Sequence, residues 1–490
     1  MSANRPQRVV VMGLGLFGGG AAVARYFTER GARVLVTDLR DEETLRPGIE
    51  AVGDARSSIE WVLGAHRESD FVAADLVVAN PAVPPDNRFL NAARAAGVRI
   101  TSETELFLDE CRARLAVVTG TQGKSSTSSM TSQLLNACGM RAHLCGNVGR
   151  SLLEQAAKFD PDDLCVLEIS SYQLEALGPR FEEQGGRSFE NIAVVALTGV
   201  LEDHLERHGS LENYARAKAR LFDLPQRAFA LLPESGLPAP IANPSRAGLE
   251  RVPFDPLPRS KNEKAQSPPQ RAARRLWIEA GEFRFGRGES AGFETLGFAR
   301  DLELPGEFQK SNALVALGIA RLLGAPADKL RNALSRLHGL PHRMERLEAA
   351  AGRTVYDNGV STTPDSTVAA LASLPNGSVL LCGGKAKALC FDELTAECAT
   401  RSLRVVTFGA AAHELAEQLR ARVVEARPIP DLSEATAAAL AWSAPGDTLL
   451  FSPACASFDA FPNFAARAKC FRSALEGAAA RLDEQPTPSR

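Results

Sequence analysis

Residues 115–131, with the sequence LAVVTGTQGKSSTSSMT, constrain the fold of this chain more than any other stretch. Leu115–Thr119 is a short apolar run rich in β-branched residues and predicts a buried strand, while Lys124 and Ser125 open a predicted helix. The residues between them, Gly120–Gly123, predict a tight turn. A strand, a glycine-rich turn and a helix in this order are typical of a phosphate loop, where backbone N–H groups, the helix N-terminus and a lysine hold phosphates.

The spacing of this loop leaves an ordinary turn open as a second interpretation. It reads G-x-x-G-K-S, which is shorter than G-x-x-x-x-G-K-[ST], because Val118 stands where the first glycine would be. A pattern this short is an ordinary turn about as often as a nucleotide site. The strand before it and the helix after it favour the nucleotide site, with Lys124 on the phosphates and the Ser125 hydroxyl on Mg²⁺.

Composition places the chain among ordinary globular proteins and excludes several classes. Its 490 residues suffice for about three domains. The formal net charge of −3 gives no electrostatic case for nucleic acid or an anionic membrane, and apolar runs such as 192–197 are too short to span a bilayer. The N-terminus shows no signal-peptide pattern, and nine scattered cysteines without a C-x-x-C pair predict reduced thiols in a cytosol, with no disulfide framework and no zinc site.

The N-terminal region carries the pattern of one half of a Rossmann fold. Arg8–Met12 predicts a strand, GLGLFG follows at residues 13–18, and a second strand from Arg33 ends at Asp38. A dehydrogenase would use Asp38 as a ribose ligand, whereas a second interpretation keeps the fold without the cofactor. A later strand, Leu76–Ala79, runs into Asn80, at the end of the sheet where such folds bind ligands.

Polar side chains also follow the predicted strands of the central region. Leu164–Ile169 contains Glu168, Ile192–Thr198 leads to the segment EDHLERH at 202–208, and Lys218 lies on a predicted helix. From about Pro233 to Arg275 the pattern breaks down. We expect residues 255–274 to form a mobile surface insert whose basic residues are simply solvated.

From Pro341 onward, four predicted strands alternate with alanine-rich helical patterns, which favours an α/β fold with a mainly parallel sheet. The strands are 354–357, 378–382, 405–409 and 448–451. The sequence therefore predicts three α/β domains: a Rossmann-like domain at 1–112, a central ATP-binding domain of the P-loop type at 113–340, and a second Rossmann-like domain at 341–490.

Eight segments, in this order along nearly the whole chain, resemble the Mur ligase family and, within it, the members that add glutamate. They are GLGLFG, TGTQGKSS, GNVG, LEISSYQLE, EDHLERHGSLENYARAK, the helix at Asn312, GLPHRMERL and SPACASFDAFPNF. The resemblance implies that the N-terminal domain binds a UDP sugar, the central domain binds ATP and Mg²⁺, and the C-terminal domain binds the amino acid. It also implies that ATP phosphorylates the carboxylate of UDP-N-acetylmuramoyl-L-alanine (UDP-MurNAc-L-Ala), after which the glutamate amine attacks the acyl phosphate.

The resemblance also implies the roles of individual residues. Catalysis would rest on Lys124, His204 and a carbamylated Lys218. ATP would be bound by Gly120, Thr121, Gly123, Lys124, Ser125, Ser126, Asn312, Arg343 and Asp357, and Mg²⁺ by Ser125, Glu168, His204 and Lys218. The UDP sugar would contact Gly13, Gly15, Leu16, Phe17, Asp38, Arg40, Asn80, Asn147, Ser171 and Gln173. Glutamate would contact Lys387, Ser457, Phe464 and Ser361.

Three departures from the family pattern keep further hypotheses open. Gly199 stands where the family usually has Asn, Phe308-Gln309 replace a His-Asn pair, and Asp357-Asn358-Gly359 replace Asp-Ser-Lys. The missing lysine, together with VSTTPDST at 360–367, resembles a subfamily that adds L-glutamate, although D-glutamate is favoured. A non-catalytic homologue that binds UDP sugar or ATP and an oxidoreductase built on GLGLFG are the remaining two hypotheses. By family likeness we expect a monomer, while the cysteine usage favours a cytoplasmic protein and the net charge argues against a nucleic-acid partner.

Overall fold

The computed structural model describes residues 6–15, 18–146, 151–156, 158–177, 189–242, 248–255, 273–287, 292–386 and 390–483, with only the backbone for 348–350 and 483. The predictions for Leu16, Phe17, Asn147, Lys387 and most of the insert at 255–274 lie outside these residues. The chain forms two compact units, the first from residues 1–302 and 310–337 and the second from 303–309 and 338–490.

The first unit begins with a parallel sheet whose strand order is β3-β2-β1-β4-β5. Its strands are β1 (Arg8–Met12), β2 (Arg33–Asp38), β3 (Ile59–Leu63), β4 (Leu76–Ala79) and β5 (Arg99–Thr101), and its α-helices are Gly19–Glu29, Glu42–Ala51, Glu68–Val72, Arg88–Ala95 and Glu103–Glu110. Alternate β1 residues enter two separate apolar clusters, as expected for a sheet covered on both faces. The strand order reverses at β1, so the loop after Met12 opens into the crevice where such sheets bind ligands.

The second sheet of this unit, ordered β14-β13-β12-β11-β10-β9-β6-β8-β7, carries the phosphate loop. Its strands are β6 (Arg114–Thr119), β7 (Ala142–Gly146), β8 (Leu164–Glu168), β9 (Ile192–Leu197), β10 (Ala228–Pro233), β11 (Leu249–Phe254), β12 (Arg275–Glu279), β13 (Glu282–Gly286) and β14 (Phe293–Phe298). The described α-helices of this part of the chain are Lys124–Ala137, Leu152–Ala156, Ser171–Ala176, Leu205–His208, Leu211–Ala219, Ala239–Ala242, Glu307–Leu322 and Ala327–Ala333. Pairing is parallel up to β12 and antiparallel from β12 to β14.

Strand β11 lies inside the region that the sequence predicted to be irregular. It pairs in parallel with β10, and Pro253 stands opposite Leu232. Proline within a run argues against a central strand, because it cannot donate to the ladder. The regular sheet therefore extends further than the sequence pattern predicts.

The second unit contains a sheet ordered β15-β16-β20-β17-β18-β19. Its strands are β15 (Glu345–Ala350), β16 (Arg353–Asp357), β17 (Val379–Gly383), β18 (Arg404–Phe408), β19 (Glu425–Pro428) and β20 (Thr448–Ala454), and its α-helices are Pro364–Leu371, Asp392–Thr400, Ala412–Ala421, Leu432–Trp442 and Phe464–Asp483. All pairs are parallel except β15 with β16. The α/β class with three parallel-rich sheets is the predicted one. Among the described helices, none has the length and apolarity needed to cross a bilayer.

Candidate active site

The predicted strand, turn and helix of the phosphate loop are present, and two glycines shape the turn. Gly120 has φ 152° and Gly123 has φ 81°. A Cβ on Gly120 would lie 1.9 Å from Thr198 Oγ1, and one on Gly123 would lie 2.5 Å from Asn312 Oδ1. Both positions therefore need glycine, for conformation and for space. The second contact also places Asn312, predicted to bind ATP, beside the N-terminus of helix Lys124–Ala137.

Two lysines donate hydrogen bonds to carbonyls of this loop. Lys124 Nζ donates to Thr121 O at 2.8 Å, and Lys218 Nζ donates to Gly120 O at 2.7 Å. Lys218 is 1% exposed. Desolvation by this burial, together with repulsion from Lys124, lowers the pKa of Lys218 well below its usual value. The structure thus keeps one lysine partly accessible at the loop and buries the other beneath it.

Glu168 and Ser125 supply buried oxygen atoms at the same edge of the sheet. Glu168 ends β8, which pairs with β6 so that Glu168 stands opposite Val118. Its Oε2 atom is buried and has no hydrogen-bond partner among the described residues. Ser125 is buried in the first turn of the helix, and Ser126 follows it. An unpaired buried carboxylate oxygen is costly, so a hard cation such as Mg²⁺ fits this donor set.

His204 lies at the end of the segment that follows β9 and has a left-handed backbone, with φ 53°. Its ring nitrogens lie 3.5 Å from Asp203 and 3.6 Å from Glu206, and its ring meets Tyr172 edge-on. A non-glycine residue in this conformation costs free energy, which is typical of functional positions.

Thr121 connects the phosphate loop to the segment that follows β9. Its Oγ1 lies 3.2 Å from Tyr214 OH and accepts a hydrogen bond from Leu201 N.

Among the described residues, the predicted UDP-sugar contacts of the first sheet lie at the crevice beside β1. Asp38 Oδ2 accepts a hydrogen bond from Gly15 N at 3.4 Å, and Oδ1 accepts one from Arg40 N at 3.0 Å. A Cβ on Gly13 would lie 2.9 Å from Asn80 Cβ. The side chains of Asp38 and Asn80 therefore fix the glycine-rich loop between them.

Arg207 connects two segments of the candidate site, and the sequence analysis did not predict this. It donates hydrogen bonds to the carbonyls of Pro81, Ala82 and Val83, and its Nε donates to Glu175 Oε2 at 2.9 Å. It thereby ties the loop after Asn80 to the segment that carries His204. Its place inside EDHLERH was the only signal in the sequence.

Two further predicted sugar contacts lie close to this segment. Ser171 Oγ is 3.1 Å from His208 Nε2. Gln173 accepts a hydrogen bond from Ser170 N, and Ser170 Oγ accepts one from Gln173 N, which forms a capping box at the start of helix Ser171–Ala176. The hydroxyl and the amide are therefore held in fixed orientations.

In the second unit, Asp357 ends β16 and is fully buried. Its Oδ2 lies 2.7 Å from His342 Nδ1 and accepts a hydrogen bond from Arg472 Nε at 2.7 Å, and its Oδ1 accepts one from Gly359 N at 2.8 Å. Arg472 also pairs with Glu345. His342, Glu345 and Asp357 are close enough to share a metal ion, but both carboxylates are already paired with the Arg472 guanidinium. Sequence reasoning missed Glu345 and Arg472.

The described residues predicted to bind glutamate follow β16 and β20, which are neighbours. Ser361 and Ser457 are both 2% exposed, and Ser361 Oγ lies 2.6 Å from Ser366 Oγ and 2.9 Å from Thr367 Oγ1. Phe464 begins the last helix and is 39% exposed. Arg343, predicted to contact ATP, is half-buried just before β15.

Gly359, which replaces the family lysine, lies where a side chain does not fit. A Cβ there would lie 2.9 Å from Ala468 Cβ, 3.0 Å from Asp357 Oδ1 and 3.1 Å from Phe451 Cε1. The other two departures cause no such crowding. A Cβ on Gly199 would meet nothing within 4 Å, although φ 155° strains any side chain there, and Gln309 is buried beside Phe308, which packs on the apolar core of the second unit.

We expect Gly359→Ala to lower the free energy of unfolding by about 1–3 kcal/mol, the usual cost of an added methyl group in a packed site. Urea titration followed by circular dichroism measures it. In an Ala468→Gly background the same substitution should cost less, because the closest contact is gone. Equal costs in both backgrounds would show that Ala468 does not limit the space at Gly359.

Comparisons with known proteins cover the whole of this architecture. Residues 7–102 match the family model "Mur ligase MurD-like, N-terminal domain", residues 118–320 match "Mur ligase middle domain", and residues 342–455 match "Mur ligase, glutamate ligase domain". The chain is 35% identical, over 96% of its length and 98% of the relative, to UDP-N-acetylmuramoylalanine–D-glutamate ligase of Roseiflexus sp. It is 34% identical, over 95% and 96%, to the protein of the same name from Geobacter metallireducens.

Solved structures agree at the level of the fold. UDP-N-acetylmuramate–alanine ligase from Thermotoga maritima has a TM-score of 0.56 at 18% identity and covers 96% of this chain and 99% of its own. MurF ligase from the same organism, solved in complex with ADP, has a TM-score of 0.57 at 15% identity and covers 92% and 95%. Together with the family models and the full-length relatives, these matches establish that the chain belongs to the Mur ligase family.

Proposed function

We propose that this protein is an ATP-dependent ligase that adds D-glutamate to UDP-MurNAc-L-Ala through an acyl phosphate, in the synthesis of peptidoglycan precursors. The observation that carries the proposal is the 35% identity, over 96% of the chain, to a relative named for that substrate and that amino acid. The phosphate loop with its two lysines and the unpaired Glu168 oxygen support it, because phosphoryl transfer needs positioned positive charge more than covalent help.

For ATP and the metal ion, we assign the residues around the phosphate loop. Lys124 and the N–H groups of Gly120–Ser126 would hold the phosphates, and Ser125 and Glu168 would hold one Mg²⁺, with His204 and a carbamylated Lys218 as further metal ligands. The bound metal ion would neutralise charge on the phosphates. Asn312, Arg343 and Asp357 would contact the nucleoside and phosphates. The buried donor set around Glu168 supports the metal assignment.

For the other two substrates, we assign the crevice beside β1 and the strand ends of the C-terminal sheet. The UDP sugar would contact Gly13, Gly15, Asp38, Arg40 and Asn80, with Ser171 and Gln173 reaching it from the central domain. Glutamate would contact Ser361, Ser457 and Phe464. Leu16, Phe17, Asn147 and Lys387 complete these sets by family likeness, and the domain boundaries 1–112, 113–340 and 341–490 follow the same division of roles.

We also propose that the protein acts as a monomer in the cytoplasm, without a nucleic-acid partner. None of the nine cysteines, all of which lie in described segments, forms a disulfide. Unpaired thiols are typical of a reducing compartment, which is also where ATP and UDP-activated sugars are made.

The decisive experiment offers D- and L-glutamate to the enzyme in parallel, with UDP-MurNAc-L-Ala, ATP and Mg²⁺, and measures phosphate release and amide product. We expect product with a clear kcat/KM preference for D-glutamate. A preference for the L form would overturn the choice of enantiomer and leave the ligase assignment in place. Phosphate release without amide product, or no turnover with either form, would contradict the proposed ligation.

A further inference from the structure

Arg467 is an arginine buried in the C-terminal domain without a carboxylate hydrogen-bond partner among the described residues. It lies on the last helix, is fully buried, and donates hydrogen bonds to two main-chain carbonyls, Cys455 O at 2.9 Å and Gly359 O at 3.2 Å. In the described part of the chain its Nε atom has no hydrogen-bond partner. A buried charge that is not paired with an opposite charge is costly, so its retention calls for an explanation.

Arg467 lies close to described segments that lead to residues to which we assign glutamate. Gly359 lies two residues before Ser361, and Cys455 lies two residues before Ser457. A Cβ on Gly384 would lie 3.0 Å from Arg467 Nη1, and Gly384 lies three residues before Lys387. Phe464 begins the helix that carries Arg467. The guanidinium therefore binds the two segments that lead to Ser361 and Ser457 and lies beside Gly384.

The guanidinium remains cationic in this environment. Desolvation lowers the pKa of Arg467 to about 10, while nearby Cys455 and Asp459 act to raise it. At neutral pH the side chain is still protonated. Because a charge in a buried region is poorly screened, it acts on the net charge of a ligand bound near it without touching that ligand.

Arg353 offers a comparison within the same domain. It is also buried, and it donates hydrogen bonds to Ser443 O, Ser443 Oγ and Ala351 O. These residues belong to no segment to which we assign a ligand. Arg353 therefore serves as the control for a buried arginine with a purely structural role.

We propose that Arg467 is a positioning residue for the amino-acid substrate, which holds the Gly359 and Cys455 carbonyls in place and whose charge favours an anionic amino acid over a neutral one. This inference rests on the proposed glutamate ligation. It also explains how a site without the family lysine at position 359 still selects glutamate, because Arg467 places a positive charge next to the Gly359 turn.

The test compares Arg467→Met, Arg467→Lys and Arg353→Met with the wild type. It measures the KM for glutamate, the KM for ATP and the inhibition constant of glutamine, which is isosteric with glutamate and neutral overall. For Arg467→Met we expect the KM for glutamate to rise about tenfold or more, which is the effect of losing a charged partner. The affinity for ATP should stay unchanged, and the affinity for glutamine should fall less than that for glutamate. Arg467→Lys should keep the preference for glutamate over glutamine. Arg353→Met should lower the melting temperature and leave that preference intact.

The outcomes separate the inference from the proposed function. A wild type that does not use glutamate contradicts the proposed function itself. A wild type that uses glutamate, with the same glutamate-to-glutamine preference in Arg467→Met, overturns the role of Arg467. If Arg467→Met does not fold, Arg467→Lys decides: loss of the preference while the positive charge remains overturns the proposal, and retention of it supports the proposal.

Discussion

We expect Lys124→Ala to lower kcat for ligation by at least ~10²-fold, the loss typical when one preorganised electrostatic contact to a transition state is removed. Lys124 lies at the start of a helix whose N-terminal N–H groups face the turn Gly120–Gly123, and its Nζ reaches Thr121 O at 2.8 Å. The positive charge of Lys124 lies at this helix N-terminus, where it can act on a phosphate held by the loop. Initial rates of phosphate release at saturating substrates measure the loss.

A matched control is Lys158→Ala, which removes the same charge from an exposed position in the same domain and should leave the rate unchanged. The affinity of Lys124→Ala for the UDP sugar should equal that of the wild type, since that substrate is assigned to the crevice beside β1. Near-normal turnover of Lys124→Ala would contradict the assignment of the phosphate loop.

The structural elements that the sequence predicted well are local in the chain. The strand, the glycine turn and the helix at 115–131 follow from neighbouring residues, and so do GLGLFG and Asp38, because hydrophobic periodicity and glycine conformations act over a few positions. The contact between Lys218 and Gly120 joins residues 98 positions apart, and no local pattern predicts it; the family resemblance only named Lys218 as a candidate site residue.

Other features needed the three-dimensional structure. Arg472 reaches Asp357 from 115 residues away, and Arg467 reaches Gly359 from 108, so no local pattern marks either arginine. In the sequence, Gly359 is notable only because it replaces a lysine of the family pattern. In the structure it is also a position crowded by Ala468 and Phe451, which shows that the turn is built for a residue without a side chain. The Arg472 pair, the Arg467 contact and the crowding at Gly359 all depend on how distant segments pack, which no local sequence pattern shows.

Lys218→Ala should abolish most of the activity, because we predict that Lys218 acts as an anion after carbamylation. Lys218 is 1% exposed, and its burial together with repulsion from Lys124 lowers its pKa well below the usual value, which disfavours the ammonium ion. Its Nζ lies 4.5 Å from the centre of the Tyr214 ring and donates to Gly120 O. The neutral amine attacks CO₂, the N–C bond forms and one proton leaves, so that a carbamate anion replaces a cation. An oxygen anion at this point supports Mg²⁺, whereas an ammonium ion repels it.

The carbamate assignment predicts how rescue of Lys218→Ala and two further variants behave. Short-chain carboxylic acids should restore part of the activity of Lys218→Ala, since they supply the missing anion in the space left by the side chain. Lys218→Arg should stay inactive with or without them, because a guanidinium is a permanent cation that fills the space. Arg216→Ala, on the exposed face of the same helix, should behave as the wild type. Full activity of Lys218→Arg would rule out the carbamate, because a fixed positive charge cannot serve as a ligand for Mg²⁺.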